Sequence, residues 1–493
     1  MPAVDATPRP QGRRWRDSVR RIAPLAWPVL VGQVAVLLFT TIDTILVARY
    51  SAVDLAALAI GSSAYVTIFV GLMGVVLAVA PIAGQLFGAG RLHDCGRELQ
   101  QAMWLALALS VPGCALLLFP EPFLILSRAQ ADVGEKVRLH LIGLAFALPP
   151  ALLFTAFRGF NTAVSRPKAV MALQVAALLL KAPLTALLVF GWNTDAADAP
   201  WRLPALGAPG CGFATAIVMV LQMLAAWLVL KRDRFYAQFG LQRGADGLDA
   251  EIARGLGRPD RARLAALLRL GVPMGLSIAI EVTGFTFMAF FISRIGATPV
   301  AGHQVAVNTV SLMFMVPLAI ANASSTLVAQ RVGANDWADA RRIGWHGLEV
   351  GVLIAAAMGA AVYVLREQIV RLYTHDAVII GAAVPLLAWV AVFHIADAAQ
   401  TVAAFVLRAY RHATAPLVIY ALAIWGVGLG GGYWLAFGLG DTSPEPLRGA
   451  RGFWSAATLG LIFAGSGMSL FLLALLRRQR REALSGGSSV QAS

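Results

Sequence analysis

Four ionisable residues lie inside long apolar stretches of the sequence. Three are acids, Asp43 in FTTIDTILV, Glu281 in SIAIEVTGF and Asp397 in HIADAAQTV, and the fourth is Lys181 in LLLKAPLTA. An ionised side chain at membrane depth costs at least about 2.5–3.5 kcal/mol, so such a residue indicates a functional site. Carboxylates of this kind can bind a proton or a cation, and a lysine can pair with one of them.

The composition indicates that these stretches are membrane spans. The chain has 493 residues, of which 58% are hydrophobic and 13% are charged, whereas a soluble domain carries about 25% charged residues. Apolar runs of transmembrane length recur along the sequence. The net charge of +14 could suggest a nucleic-acid partner, but the basic residues cluster between the apolar runs. Charge that sets membrane topology is the better interpretation, and no nucleic-acid partner is predicted.

The apolar runs predict an all-α membrane protein with about twelve spans in two six-span halves. The predicted units are a cytoplasmic tail over 1–21, one half over 22–230, a polar linker over 231–263, a second half over 264–476 and a tail over 477–493. With twelve spans, the clusters of arginine and lysine all fall on one side, including those that begin at Arg158 and at Arg408. Both termini are therefore predicted to be cytoplasmic. Three scattered cysteines predict neither a metal site nor a disulfide framework.

An internal repeat relates the two halves. The segment 321–335, ANASSTLVAQRVGAN, resembles the segment 79–90, VAPIAGQLFGAG, with Gln330 matching Gln85 at an offset of 245 residues. The same offset matches Pro273 with Pro28 without a gap. Two copies of one unit that enter the membrane from the same side are typical of transporters with a site between the halves.

The acids break this repeat, and chemistry is expected where the copies differ. At the offset of 245, the positions that match Asp43 and Glu281 hold methionine and valine. At the offset of 250, which matches Arg408 with Arg158, the position that matches Asp397 holds alanine. Glu281 and Asp397 belong to the same half. If they lie close together in a low dielectric, they cannot both stay charged without a cation or a proton. This predicts a coupling-ion site, and the alternative is that the two residues never meet.

Lys181 needs a partner at this depth, and Asp43 is the clear acidic candidate in its own half. The sequence therefore suggests an Asp43–Lys181 pair, while a lysine that snorkels to the interface is the alternative. Weaker candidates for the wall of a substrate cavity are His394, one turn before Asp397, and residues near the start of span eight. The latter are His303, Gln304 and Asn308.

The motifs that would support other functions are not found in the sequence. It contains no GxxxxGK[ST] loop, no HExxH and no GxSxG with suitable partners, so neither an ATP-driven motor nor an enzyme is predicted. No cofactor is expected. Uphill transport would then depend on an ion gradient.

Four stretches resemble the multidrug and toxic compound extrusion (MATE) family, in its bacterial NorM-like branch. They are TTIDTILVARYSAVDLAALAIG, VAPIAGQLFGAGR, AGHQVAVNTVSLMFMVPLAIANASSTLVAQRVGAND and DAAQTVAAFVLRAYRHA. The resemblance covers about residues 20 to 475. It implies twelve helices in two lobes around a V-shaped cavity, in a monomeric protein of the bacterial inner membrane that contacts lipid.

The resemblance also implies a function, the export of cationic or amphiphilic drug-like compounds in exchange for H⁺ or Na⁺. Asp43 matches the functional aspartate of the family's first span. Glu281 and Asp397 match the acids tied to cation coupling, and they would be the Na⁺ ligands if Na⁺ is the coupling ion. The alternative is a flippase for lipid-linked saccharides, which would be expected to have a strongly basic cavity, whereas the deep charges here are interpreted as mostly acidic.

Two departures from the family pattern favour H⁺ over Na⁺. Lys181 and Thr185 stand where the NorM-like branch often has asparagines, and Phe393 stands where Na⁺-coupled members can have a tyrosine. Both changes remove oxygen atoms, and Na⁺ requires several hard oxygen ligands.

Overall fold

The computed structural model describes residues 15–121, 123–124, 130–192, 203–242, 257–438 and 444–486, with side chains up to residue 478. The predicted tails over 1–21 and 477–493 lie partly outside the described residues, as does the middle of the predicted linker over 231–263. In the described part of the chain, twelve helices are long and apolar enough to cross a membrane. The predicted all-α fold is confirmed.

The first six membrane helices form one lobe and the last six form another. In chain order they are α1 Trp15–Tyr50, α2 Ala52–Gly88, α3 Leu92–Leu118, α4 Ala131–Ala163, α5 Pro167–Phe190, α6 Ala208–Arg232, α7 Arg261–Ser293, α8 Ala297–Gly333, α9 Trp337–Tyr373, α10 Ala377–Ala409, α11 Thr414–Phe437 and α12 Ala450–Gly486. The middle of α11, Leu422–Gly430, is a π-helix. Each lobe has its own cluster of buried apolar side chains, and the clusters cross the boundary between the lobes: Ile22 of α1 packs into the second, and Leu267, Leu270 and Met274 of α7 pack into the first.

Several helices begin at side-chain caps that the sequence supplies. Asp260 accepts hydrogen bonds from the first backbone N–H groups of α7, and Asp336 and Asp376 do the same for α9 and α10. Ser51 caps α2 in the same way. Such caps satisfy N–H groups that have no partner within the helix. They fix where α2, α7, α9 and α10 begin.

The repeated segments meet each other at one end of the molecule, which we call the closed end. A Cβ atom on Gly88 would lie 1.8 Å from the carbonyl oxygen of Gln330, and a Cβ atom on Gly333 would lie 1.8 Å from that of Gln85. Neither position can therefore hold a side chain while the two backbones touch. Gly90 and its repeat partner Asn335 both adopt positive φ angles, of 72° and 58°, so the turns that follow are repeated as well.

Hydrogen bonds join the lobes at the same end. The Gln85 Nε2 donates to the carbonyl oxygen of Ala409 at 2.7 Å, and the Gln330 Nε2 donates to that of Ala163 at 2.7 Å. Each glutamine thus caps the C-terminal end of a helix in the opposite lobe. Within the described residues, the hydrogen bonds and ion pairs between α1–α6 and α7–α12 all lie in this half of the molecule. The lobes separate towards the other end.

The substitution Gly88→Ala should destabilise the closed end, because a methyl group would have to displace the backbone at Gln330. Overpacking of this kind costs roughly 1–3 kcal/mol, which we expect as a lower melting temperature of the purified protein. The matched control is Gly71→Ala, where an added Cβ would meet nothing within 4 Å. Equal melting temperatures for the two variants would contradict the close contact.

Candidate functional site

A cavity of about 860 Å³ lies between the lobes and is lined by both of them. Its walls are mainly apolar and aromatic, with few charged groups, as is usual for sites that bind small organic molecules. The charged lining residues are Asp43, Arg158 and Lys181 from the first lobe and Glu281, Asp397 and Arg408 from the second. The aromatic lining residues are Phe39, Tyr65, Phe69, Phe154, Phe285, Phe314, Phe393, Phe405 and Tyr420.

Asp43 and Lys181 form an ion pair in the first lobe. The Lys181 Nζ lies 3.0 Å from the Asp43 Oδ2, and the side chain of Lys181 is fully buried while that of Asp43 is 13% exposed. The ammonium also donates to the Thr215 hydroxyl and to the Cys211 carbonyl oxygen. The Thr185 hydroxyl donates to the other oxygen of Asp43 at 3.3 Å. A lysine held in this way does not snorkel to the membrane surface.

Burial makes the two members of this pair depend on each other. Breaking a buried ion pair by removing one member costs about 3–5 kcal/mol, because the remaining charge is left uncompensated, whereas replacing both members is far less costly. Thr185, which stands in place of a family asparagine, keeps an oxygen next to Asp43. The first lobe therefore carries a neutralised carboxylate rather than a free one.

The second lobe brings Glu281 and Asp397 together on one wall of the cavity. The two carboxylates are close enough for their charges to interact. Tyr420 and Arg408 lie near enough to Glu281 to interact with its carboxylate. Asp397 is 4% exposed, and the hydroxyl of Thr401, one turn further along α10, donates to the Gln400 Oε1 at 3.1 Å. A wall of this composition can hold a proton or a small cation between two acids.

The oxygen atoms on this wall are of the type that Na⁺ accepts. Two carboxylates, the Thr401 hydroxyl and the Tyr420 hydroxyl are hard donors, and Tyr420 supplies from α11 a phenol that position 393 does not. In the described part of the chain, no group of three or more His, Cys, Asp and Glu side chains could hold a metal ion. Arg408 next to Glu281 also repels a bound cation.

Arg158 and Arg408, which the sequence analysis counted only in the basic clusters at the ends of the spans, also belong to the cavity lining. They lie inside α4 and α10 and line the cavity, because these helices continue beyond their apolar stretches. The Arg158 Nη2 donates to the Met73 Sδ at 3.2 Å, and the Arg408 guanidinium lies 4.5 Å from the centre of the Phe405 ring. The cavity lining thus carries as many cations as acids. The interpretation that its charges are mostly acidic is wrong, and the charge argument against a flippase fails.

Three of the weaker candidates do not line the cavity. Gln304 and Asn308 are exposed on α8 and form a hydrogen bond with each other at 3.4 Å. They share a helical face with Ser311, which does line the cavity, but they lie nearer the start of the helix. His394 is fully buried, so its place next to Asp397 in the sequence does not bring it to the wall.

His303 is likewise buried in the second lobe, with its ring centre 5.9 Å from that of Trp454. The residues that sequence reasoning missed are Arg158, Arg408, Tyr420 and Thr215. The match between Arg158 and Arg408 at an offset of 250 residues was a usable signal for the two arginines. Tyr420 and Thr215 carried no such signal, because each becomes important only through the helix it packs against.

The comparisons with known proteins agree with this architecture. The MatE family profile matches residues 28–187 and 273–434, so that the two matches begin 245 residues apart, at the offset of the internal repeat. The chain belongs to the MATE family. A probable multidrug resistance protein NorM from Aromatoleum aromaticum is 40% identical over 92% of this chain and 93% of its own length. The multidrug resistance protein NorM from Vibrio cholerae is 34% identical over 91% and 93%.

A crystal structure of a eukaryotic MATE transporter has the same fold. It aligns with a TM-score of 0.80 at 18% identity, over 95% of this chain and 99% of its own length. MATE proteins are transporters rather than enzymes, and this chain is a multi-helix membrane protein with bacterial relatives.

The ion pair predicts that substitutions of Lys181 and Asp43 have non-additive effects on stability. Lys181→Met alone should lower the melting temperature strongly, because Asp43 would lose its counter-charge. Adding Asp43→Asn should restore most of the loss, since no unpaired charge would remain. Lys168→Met, which removes an exposed lysine from the start of the same helix, serves as the control. Additive losses in the double variant would contradict the pairing.

Proposed function

We propose that this MATE protein is a secondary active multidrug efflux antiporter of the bacterial inner membrane. It would export cationic or amphiphilic organic compounds in exchange for H⁺, with Na⁺ as the other possible coupling ion and no cofactor. The observation that carries the proposal is the pairing of Glu281 with Asp397 on the wall of a large, mainly apolar cavity. The names of the NorM relatives, multidrug resistance proteins, support multidrug efflux.

The two carboxylates can account for the exchange of a proton for a cationic substrate. Two acids that are close together in a low dielectric favour one bound proton, and a cationic substrate in the cavity competes for the same negative charge. A ligand shifts a conformational equilibrium only as far as it binds one conformation better than the other. If protonation favours the conformation that releases the substrate, then uptake of a proton drives export.

The arrangement of the lobes suggests where this conformation stands in the cycle. With both termini in the cytoplasm, as the charge distribution predicts, the closed end would face the cytoplasm and the cavity would face outwards. A proton would bind at Glu281 and Asp397 from this side, the substrate would leave, and the return to an inward-facing conformation would release the proton inside. The contacts of Gln85 and Gln330 would have to break in that step.

The charges near the site favour H⁺ over Na⁺. Lys181 neutralises Asp43 in one lobe and Arg408 faces Glu281 in the other, so each lobe carries a cation close to its acids. A proton requires only one free carboxylate oxygen, whereas Na⁺ requires several oxygen ligands and repels both cations. We further propose that the protein acts as a monomer in contact with membrane lipid, with the segment 231–263 as a cytoplasmic linker and no nucleic-acid partner.

A flippase for lipid-linked saccharides is the second candidate function, and one observation favours it. Arg158 lines the cavity and, within the described residues, has no carboxylate partner. A free guanidinium could bind a phosphate group. Against it, most of the lining side chains are apolar, which suits amphiphilic organic compounds better than a saccharide.

Reconstitution into liposomes tests the antiporter. Efflux of a cationic dye should follow an imposed H⁺ gradient, and Asp397→Asn should reduce it at least tenfold because one of the two acids no longer titrates. Glu367→Gln, which removes an exposed carboxylate that is paired with Arg371, is the matched control and should transport normally. A parallel assay with an imposed Na⁺ gradient decides between the ions. Dye efflux that ignores both gradients and the Asp397 substitution would exclude the coupling mechanism.

A further inference from the structure

A second concave site lies outside the transport cavity, between α9 and α12. It is a groove of about 400 Å³, formed by the first turns of α9 and the last described turns of α12. Its lining residues are Arg341, Arg342, Trp345 and His346 from α9 and Leu473, Leu476 and Arg477 from α12. We call it the arginine groove. Neither the repeat nor the transport mechanism accounts for it.

The arginine groove has a large excess of positive charge. Asp339, on the first turn of α9, is already shared by Arg21 at 2.8 Å, Arg331 at 3.1 Å and Arg342 at 3.4 Å. Arg341 and Arg477 are exposed, and neither has a carboxylate partner within the described residues. Two guanidinium groups are therefore free to bind an anion, and guanidinium suits phosphate in particular because it can donate two parallel hydrogen bonds.

The rest of the groove is apolar. Trp345 packs partly against the buried core of the second lobe, and Leu473 and Leu476 lie one turn or less before Arg477 on α12. Both helices are long and apolar enough to cross the membrane, and the groove lies at the ends of their apolar stretches. Tryptophan and arginine are typical of this level, where lipid headgroups meet the acyl chains. A small water-soluble anion would make no contact with the apolar residues of the groove, whereas a lipid would.

We propose that the arginine groove binds an anionic phospholipid. Its phosphate would be held by Arg341 and Arg477, while the first methylene groups of its acyl chains would lie against Trp345 and Leu473. Basic pockets between membrane helices on the cytoplasmic side are suited to anionic lipid headgroups. The positive charge of the groove and its apolar residues therefore both favour an anionic phospholipid. The proposal does not depend on the substrate or on the coupling ion.

The groove lies next to a contact between the two lobes, so that a bound lipid would affect how the lobes are held together. His346 lines the groove, and its Nδ1 lies 2.7 Å from the Ser18 hydroxyl of α1, which belongs to the other lobe. Arg342 shares Asp339 with Arg21, which also belongs to α1. A lipid that orders these side chains therefore stabilises the contact between α1 and α9. Since that contact belongs to the closed end, the lipid favours the conformation that is closed there.

Native mass spectrometry and thermal unfolding of the full chain test the proposal. The wild type in detergent should retain added phosphatidylglycerol or cardiolipin in preference to phosphatidylcholine, and the anionic lipids should raise its melting temperature. The variant Arg341→Gln/Arg477→Gln should bind the anionic lipids at least tenfold more weakly and lose the rise in melting temperature. The matched control, Arg138→Gln/Arg371→Gln, removes two exposed arginines that are salt-bridged elsewhere. It should behave as the wild type.

A lysine variant and an inorganic phosphate control complete the experiment. Arg341→Lys/Arg477→Lys retains both charges and should keep part of the lipid binding, which shows that a loss in the glutamine variant is not a folding defect. Inorganic phosphate at equal phosphate concentration should leave the melting temperature unchanged. Equal lipid retention by the glutamine variant and the wild type would overturn the proposal. An equal rise in melting temperature with inorganic phosphate would also overturn it, because the groove would then be a site for free anions.

Discussion

The reciprocal contact between the two repeated segments is the constraint on which the rest of the structure depends. Gln85 and Gln330 each cap a helix end in the opposite lobe, and Gly88 and Gly333 allow the two backbones to touch. Because the two copies of the repeated segment contact each other, the lobes are joined at the closed end. The space that opens beyond the contact is the cavity between the lobes.

Within this symmetric frame, the charges differ between the lobes. One lobe neutralises Asp43 with a fully buried lysine, whereas the other sets Glu281 beside Asp397 and leaves the pair facing the cavity. An internal ion pair has no net charge, whereas two adjacent carboxylates repel each other unless a proton or a cation is bound between them. The two lobes therefore line the cavity with acids in different surroundings, a neutralised one in the first lobe and two neighbouring ones in the second.

The same frame connects the cavity to the membrane around it. The interlobe contacts of α1 with α9 lie beside the arginine groove, through Ser18, His346 and the shared Asp339. A conformational change that parts the lobes must disturb these contacts. The lipid that surrounds the closed end can therefore influence the equilibrium between conformations, even though it lies far from Glu281 and Asp397.

The sequence by itself determined the twelve helices, the two-lobe repeat and the ionisable residues at depth, because burial in a membrane makes apolar runs long and makes exceptions costly. Only the tertiary structure decided which of these residues meet. It paired Lys181 with Asp43 and brought Tyr420 to Glu281. It turned Arg158 and Arg408 into the cavity and left Gln304, Asn308 and His394 outside its lining. The physical reason is that hydropathy records whether a residue lies in an apolar stretch. The depth and direction of its side chain depend on where each helix ends and on the neighbour against which it packs.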